Sequence, residues 1–277
     1  MEWFAGRSVI VTGAGHGIGR GIAELLEFMG SRVIAVDKDE QALHENLRGD
    51  GFVRFRGDLA SPAVEQLAEE IWQRHGPIEM LVNNVGIDIP SGFFDIGEEE
   101  FDLVFGTNLR GPWFFTKRIA RHLVEARLRG AILFVSSLHD TRIRGFPHYS
   151  ASKAAIAMLV KELANELGPA GIRVNAISPG SIRTEHTPST AEGEAWARRA
   201  VPLGRMGEPA DIARIAAILL NEDWSGYLTG ANIPVDGGLD LYSWSVSNPP
   251  DRSSERFPDG LLNLARRLGR RFGPGSE

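Results

Sequence analysis

Tyr149 and Lys153 carry the first chemical signal in this sequence. They lie four residues apart in Tyr149-Ser150-Ala151-Ser152-Lys153, at the head of a helical run from Ser150 to Leu167. That spacing puts both side chains on one helix face. A phenol near its free pKa of about 10 is a poor base at neutral pH. An ammonium held beside it favours the phenolate and lowers that pKa. The tuned phenol can then exchange a proton with an alcohol or a ketone. Many surface helices carry Tyr-x-x-x-Lys by chance, so the meaning of the pair depends on what precedes and follows it.

A second signal stands near the start. Arg7 to Thr12 reads as a short buried strand, Gly13-Ala14-Gly15-His16-Gly17-Ile18-Gly19 follows, and a helix pattern runs from Gly17 to Met29. Strand, glycine turn and helix form the context that a dinucleotide-binding turn requires. Glycines let the backbone approach a pyrophosphate, whose charge the helix N-terminus favours. The next strand, Arg32 to Val36, ends at Asp37, 18 residues after Gly19. That is close to the ~20 expected of the acid that accepts hydrogen bonds from a ribose. A carboxylate there suits the hydroxyls of NAD and repels the 2′-phosphate of NADP, although Lys38 next to it could soften the repulsion. NAD is therefore favoured over NADP.

The elements that must position these groups alternate regularly. Phe52 to Arg56 reads as a strand, with Asp58-Leu59 at the following turn, where Asp58 could reach an adenine. Ser61 and Pro62 suit the N-cap and first position of a helix running to His75. Met80 to Val82 is a strand ending in Asn83-Asn84-Val85-Gly86, polar groups placed where open α/β sheets bind ligands. A long helix is expected from Glu98 through Asn108 towards Ala126, its acidic start complementing the helix dipole. Asn108 is a poor helix former, and Gly111-Pro112 disturbs the bonding beside it, so a bend or a functional amide is expected there. Ala131 to Val135 is a strand with Ser136-Ser137 at its end. Ile172 to Ile177 is another, leading into Ser178-Pro179-Gly180-Ser181-Ile182-Arg183-Thr184. The polar stretch from Arg183 to Pro202, with a helical piece near Glu192 to Ala200, has the character of a lid. A helix from Glu208 to Leu220 and a strand from Ala231 to Val235 complete the series, before Asp236-Gly237-Gly238. Alternation of this kind calls for a parallel sheet covered on both faces, an α/β Rossmann-type doubly wound fold.

Composition narrows the function classes. A chain of 277 residues, 43% hydrophobic and 24% charged, fits one large α/β domain with a tail. The net charge is −6 and no basic stripe crosses the body, so a nucleic-acid partner is not expected. With no cysteine, thiolate catalysis and cysteine metal sites are excluded, and a reducing, cytoplasmic setting suits the chain. No metal site is expected. Met1-Glu2-Trp3-Phe4 lacks the basic start of a signal peptide, and no stretch approaches the ~18 apolar residues of a membrane span, so no membrane partner is expected. The catalytic domain is expected over residues 1–242. Residues 243–277 form an extension, part linker and part amphipathic helix over 260–272, with Leu261, Leu264, Ala265, Leu268 and Phe272 on one face and four arginines opposite.

Taken together, Thr12-Gly13-x-x-x-Gly17-Ile18-Gly19, Asn83-Asn84-Val85-Gly86, Asn108, Ser137, Tyr149-x-x-x-Lys153, Pro179-Gly180 and Asp236-Gly237-Gly238 make the chain resemble the classical short-chain dehydrogenase/reductase (SDR) family over about residues 5 to 242. The resemblance implies roles. Tyr149 would be the general acid/base, and Lys153 would lower its pKa and hold the nicotinamide ribose. Ser137 would orient the substrate oxygen, and Asn108 would support a relay water near Lys153. Gly13, Gly15, His16, Gly17, Ile18 and Gly19, then Asp37, Lys38, Asp58, Leu59, Asn84 and Gly86, and finally Pro179, Gly180, Ile182 and Thr184 would contact the cofactor. The resemblance also implies a homotetramer built on the helices that hold Asn108 and Tyr149. Val85 replaces the family's usual alanine. The interval from Ser137 to Tyr149 is one residue shorter than usual, which leaves Ser136 as an alternative to Ser137. Locally, Ser137-Leu138-His139-Asp140 is similar to a stretch of glucose dehydrogenases, so His139 and Asp140 are expected either to bond sugar hydroxyls or to face water. Phe93, Phe94, Phe146 and Trp196 are the alternative, an apolar pocket for a cyclic alcohol.

The expected activity is NAD-dependent hydride transfer between a secondary alcohol and its ketone. Two alternatives stand beside it. One is an NADPH-dependent reductase of 3-oxoacyl or polyketide ketones. The other, of a different class, is a non-catalytic dinucleotide-binding regulator.

Overall fold

The computed structural model describes residues 2–143, 145–185, 187 and 190–241. The expected extension and its helix over 260–272 lie outside the described residues. In chain order, β1 (Ser8–Thr12), α1 (Gly17–Phe28), β2 (Arg32–Asp37), α2 (Glu40–Asn46), β3 (Phe52–Arg56), α3 (Val64–His75) and β4 (Met80–Asn83) form the first half. Next come α4 (Glu98–Phe105), α5 (Gly111–Glu125), β5 (Gly130–Val135), α6 (Pro147–Leu167) and β6 (Ile172–Pro179). The described chain closes with α7 (Ala191–Ala200), α8 (Pro209–Leu220), α9 (Glu222–Ser225) and β7 (Asn232–Val235).

All seven strands are parallel, in the order β3-β2-β1-β4-β5-β6-β7. Every residue of β1 is buried, as a strand covered on both faces must be. Successive side chains point to opposite faces. Val9 and Val11 accordingly join the core under α1 and α8, while Ile10 joins the core under α3, α5 and α6. The expected doubly wound fold is present. The order reverses between β1 and β4, and the crevice outside the carboxyl ends at such a switch point is where open α/β sheets bind ligands. The glycine turn follows β1, and Asn83 to Gly86 end β4, so both lie at that crevice.

Three local expectations need correction. The helix after β3 begins at Val64, not at Pro62 with Ser61 as its cap. Ser61 Oγ instead accepts the Ala63 N–H at 3.1 Å within a turn. The long helix from Glu98 to Ala126 is divided into α4 and α5 by one π turn, Gly106–Arg110. The helix of the Tyr-Lys pair starts three residues earlier than expected, so Tyr149 lies inside it. The short α2, which no periodic pattern announces, is capped by Asp39, whose side chain accepts the Ala42 N–H.

Candidate active site

The glycine turn is fixed by close approach. Gly13 and Gly17 have φ of +66° and +51°, in the left-handed region that favours glycine. A Cβ on Gly19 would lie 2.0 Å from the Gly13 carbonyl oxygen and 2.4 Å from Asn84 Nδ2. Asn84 ties the turn to β4, because Nδ2 donates to the Thr12 and Gly13 carbonyls, both at 3.1 Å. The Asn84 amide therefore holds the turn itself. Ile18 is half-buried against the core of α1 and α8.

Asp37 stands beside this turn at the end of β2. Oδ2 accepts the Gly15 N–H at 2.9 Å and Oδ1 accepts the Asp39 N–H at 3.0 Å. Asp39 adds a second carboxylate that sequence reasoning missed. It pairs with His16 Nε2 at 3.2 Å. Its pKa lies below the usual carboxylate value through the hydrogen bond from the Ala42 backbone and the bond and charge of His16. Lys38 is exposed. Asp58 is also exposed and accepts the Ala60 N–H at 2.9 Å. Leu59 and Ile182 are 2% and 8% exposed, so their side chains belong to the core and only their backbone can meet a ligand.

The opening helix α1 already holds an anion. Glu185 Oε2 accepts the Gly17 N–H at 3.0 Å, and its carboxylate lies 3.7 Å from Arg20. Burial opposes ionisation of Glu185, but the Gly17 bond and the charges of Arg20 and His16 contribute to holding its pKa below the usual value. Thr184 sits over the same point. A Cβ on Gly17 would lie 3.1 Å from its methyl carbon. The turn therefore fits a dinucleotide, with close backbone approach and a Gly17 N–H that donates to a negative group. Pro179 ends β6, and a Cβ on Gly180 would fall 2.7 Å from Asp236, so the closing Asp236-Gly237-Gly238 packs against this strand end.

Tyr149 and Lys153 of α6 come together with Asn108 of the π turn. Lys153 is 4% exposed, and Nζ donates to the Val135 carbonyl at 3.1 Å. Nζ lies 5.7 Å from the centre of the Tyr149 ring. A Cβ on Gly86 would come 3.1 Å from Nζ and 3.6 Å from Asn108 Oδ1, so Gly86 leaves room for these groups. Burial pushes the Lys153 ammonium down from 10.5 to about 8, opposed by the charges of Asp140 and Asp88. The π turn delivers Asn108. The Gly111 N–H bonds the Gly106 carbonyl, and the widened turn carries the Asn108 amide inward. Its Oδ1 accepts the Ile87 N–H at 2.8 Å, and Nδ2 donates to the Ile87 carbonyl at 2.9 Å and to Ser152 Oγ at 3.1 Å.

The two serines differ. Ser136 is buried, and its hydroxyl donates to Asp140 Oδ2 at 3.1 Å, with the Lys153 carbonyl at 3.4 Å. Ser137 is half-buried and accepts the His139 N–H at 3.3 Å. Asp140 is half-buried beside the cleft that follows, and its Oδ2, expected to meet a sugar or water, is taken up by the protein itself. Its carboxylate also accepts from Ser178 Oγ and from Asn232 Nδ2 at 2.6 Å. His139 stays at the site. Its ring meets Tyr149 edge-on at 4.9 Å and stacks on Phe146 at 5.8 Å. An apolar cleft of about 400 Å³ adjoins it, with Ile143, Phe146 and Ala154 among its walls. Phe93 and Phe94 are exposed and pack edge-on against each other, whereas Trp196 packs against the cluster of Leu138 and Met206.

Known proteins resemble this chain over most of its length. Residues 13–240 match the profile of a family described as Enoyl-(Acyl carrier protein) reductase. The (3R)-3-hydroxyacyl-CoA dehydrogenase of Mus musculus is 37% identical over 248 residues, covering 83% of this chain and 95% of that protein. A short-chain type dehydrogenase/reductase from Mycobacterium marinum superposes with a TM-score of 0.80 at 32% identity, over 85% of this chain and 96% of that one. The 3-ketoacyl-(acyl-carrier-protein) reductase from Brucella melitensis, solved with NADH, gives 0.79 at 32% identity, over 86% and 99%.

Proposed function

Because the chain belongs to the short-chain dehydrogenase/reductase family of oxidoreductases, we propose that it interconverts a secondary alcohol and its ketone with NAD(H). The observation that carries this reading is the meeting of Tyr149, buried Lys153 and Asn108 beside Gly86. When bound, NAD supplies the hydride acceptor, and in its reduced form the hydride donor. Tyr149 takes the hydroxyl proton of the alcohol, or returns it to the carbonyl oxygen. The Lys153 ammonium stabilises the phenolate that results and holds the nicotinamide ribose. Ser137 accepts from a backbone N–H and keeps its own hydrogen for the substrate oxygen, whereas the Ser136 hydrogen is committed to Asp140. We therefore assign the orienting role to Ser137. Asn108, fixed through Ile87, is suited to anchoring a relay water near Lys153.

Asp37 and Asp39 together present two carboxylates beside Gly15 and His16, a poor setting for a 2′-phosphate. This supports NAD over NADP. Gly13 to Gly19 and Thr184 would hold the diphosphate part, with Glu185 giving way to it. A second reading, reduction of the ketone of an acyl thioester, is supported by the names of the mouse relative and the Brucella reductase. A sugar bound through Asp140 is not proposed, because that carboxylate is engaged with Ser136, Ser178 and Asn232.

The test is a panel of secondary alcohols with NAD, and acetoacetyl-CoA with NADH or NADPH, run on the wild type and on Tyr149→Phe. Turnover abolished in Tyr149→Phe supports the reading. Equal turnover by both proteins contradicts it.

A further inference from the structure

Asp140 has no role in the chemistry proposed so far, yet it is the most heavily bonded carboxylate near Lys153. It ends the short 3₁₀ turn Leu138–Asp140 that follows β5. A single oxygen, Oδ2, receives hydrogen bonds from three strand ends: Ser136 after β5, Ser178 of β6 and Asn232 of β7. Ser178 Oγ also lies 2.8 Å from Asn232 Oδ1, a second acceptor within reach of its one hydrogen. All three partners are uncharged, so nothing in the network neutralises the carboxylate. The Ser136 hydroxyl, whose one hydrogen goes to Asp140 Oδ2 at 3.1 Å, also lies 3.4 Å from the Lys153 carbonyl oxygen, so Asp140 and the Lys153 backbone share this neighbour.

Lys153 needs a counter-charge. An ammonium removed from water is destabilised unless an opposite charge stands near it. Its direct partner is the neutral carbonyl of Val135. The neighbours Gly86 and Asn108 carry no charge, and Tyr149 on the same helix is neutral until it loses its proton. Asp140 lies one hydroxyl away from the Val135-Ser136 segment that holds Nζ, since Ser136 Oγ bonds its Oδ2 and Val135 accepts from Nζ, and its charge, with that of Asp88 from the segment after β4, opposes the effect of burial on Lys153.

We propose that Asp140 is a positioning residue for the Tyr149–Lys153 pair, clamping the ends of β5, β6 and β7 beneath it and serving as the counter-charge of the buried ammonium. As a role in catalysis this rests on the dehydrogenase reading, but the electrostatic claim does not. It requires that Lys153 lose its proton at lower pH when Asp140 is made neutral. Near-neutral activity would then fall, because an uncharged Lys153 no longer favours the phenolate.

The experiment reads Lys153 directly. The chain contains four lysines, Lys38, Lys117, Lys153 and Lys161, so protein grown on ¹³C-lysine gives four Cε signals to follow against pH. The Lys153 signal is assigned by its loss in Lys153→Arg. Neither substrate nor cofactor is needed, so failure here is separable from failure of the dehydrogenase reading, which NADH binding judges. The wild-type midpoint is expected at about 8. Asp140→Asn should lower it by on the order of one pH unit, and Asp140→Glu should restore it. Ser178→Ala removes a hydrogen bond but no charge, and should leave it in place. Asp140→Ser serves if Asp140→Asn does not fold. An unchanged midpoint in a folded neutral variant would overturn the proposal. So would an equal shift in Ser178→Ala, because the effect would then be structural.

Discussion

Removing the Tyr149 hydroxyl leaves the ring that packs against His139 in place. Tyr149→Phe should therefore keep its fold and its NADH affinity while losing turnover by about 10²–10⁴-fold, the usual worth of a general acid/base. A steady-state assay beside a binding titration separates the two effects. Lys153 sets the alkaline limit. Its ammonium titrates at about 8, so activity should decline above that pH as the charge that favours the phenolate is lost. Stability moves the other way. Between about 8 and the ordinary value of 10.5 the unfolded chain holds a proton that the folded chain has released, so unfolding free energy rises with pH across that window. Chemical denaturation at pH 8 and pH 10 would show the sign, with Lys153→Met as the reference that lacks it. Glu185 provides a third test at this scale. Its carboxylate occupies the Gly17 N–H that a diphosphate would use, so Glu185→Gln should bind NADH more tightly. Weaker binding by this variant would mean that Glu185 assists the cofactor.

The elements explain how distant residues reach one another. Asn108 is brought to Lys153 because the helix after Gly97 widens by one residue between Gly106 and Arg110. The sequence showed that something happens there, since asparagine and Gly111-Pro112 are poor occupants of a helix interior. It did not show that the break would be a π turn, because that depends on how α5 meets the chain near Leu59. Gly111 marks the contact. A Cβ there would lie 2.2 Å from the Leu59 carbonyl oxygen. Gly111→Ala should cost about 1–3 kcal/mol by overpacking, read from a denaturation curve, and should weaken turnover further through Asn108. A variant as stable as wild type would show that α5 can shift without loss. The strands and the Tyr-Lys helix were legible because apolar runs and helical spacing are local signals. The fate of Asp140 was not, since its three partners come from residues 136, 178 and 232. The same holds for Glu185, which reaches Gly17 from 168 positions away. A sequence read locally shows a charged residue on a loop and not which way it turns.

For the molecule as a whole, the sheet order places the glycine turn, Asp37, Gly86 and the Tyr149–Lys153 pair at one end of seven parallel strands. No helix among the described residues is long and apolar enough to cross a membrane. Leu103 on α4, Trp113 on α5 and Met158 on α6 are exposed; a homotetramer built on these helices is proposed, and light scattering should then report four times the mass of one chain. Residues 1–242 are proposed to fold and bind cofactor alone, so a chain cut there should retain NADH binding. The proposed site binds NAD and turns on Tyr149, and its cofactor half can be measured before any substrate is known. Six tryptophans allow NADH and NADPH to be titrated by fluorescence quenching. Tight NADH binding and much weaker NADPH binding are expected, a difference that Asp37→Ala reduces. Equal or tighter binding of NADPH would contradict the role given to Asp37 and Asp39, and binding of neither would contradict the site itself.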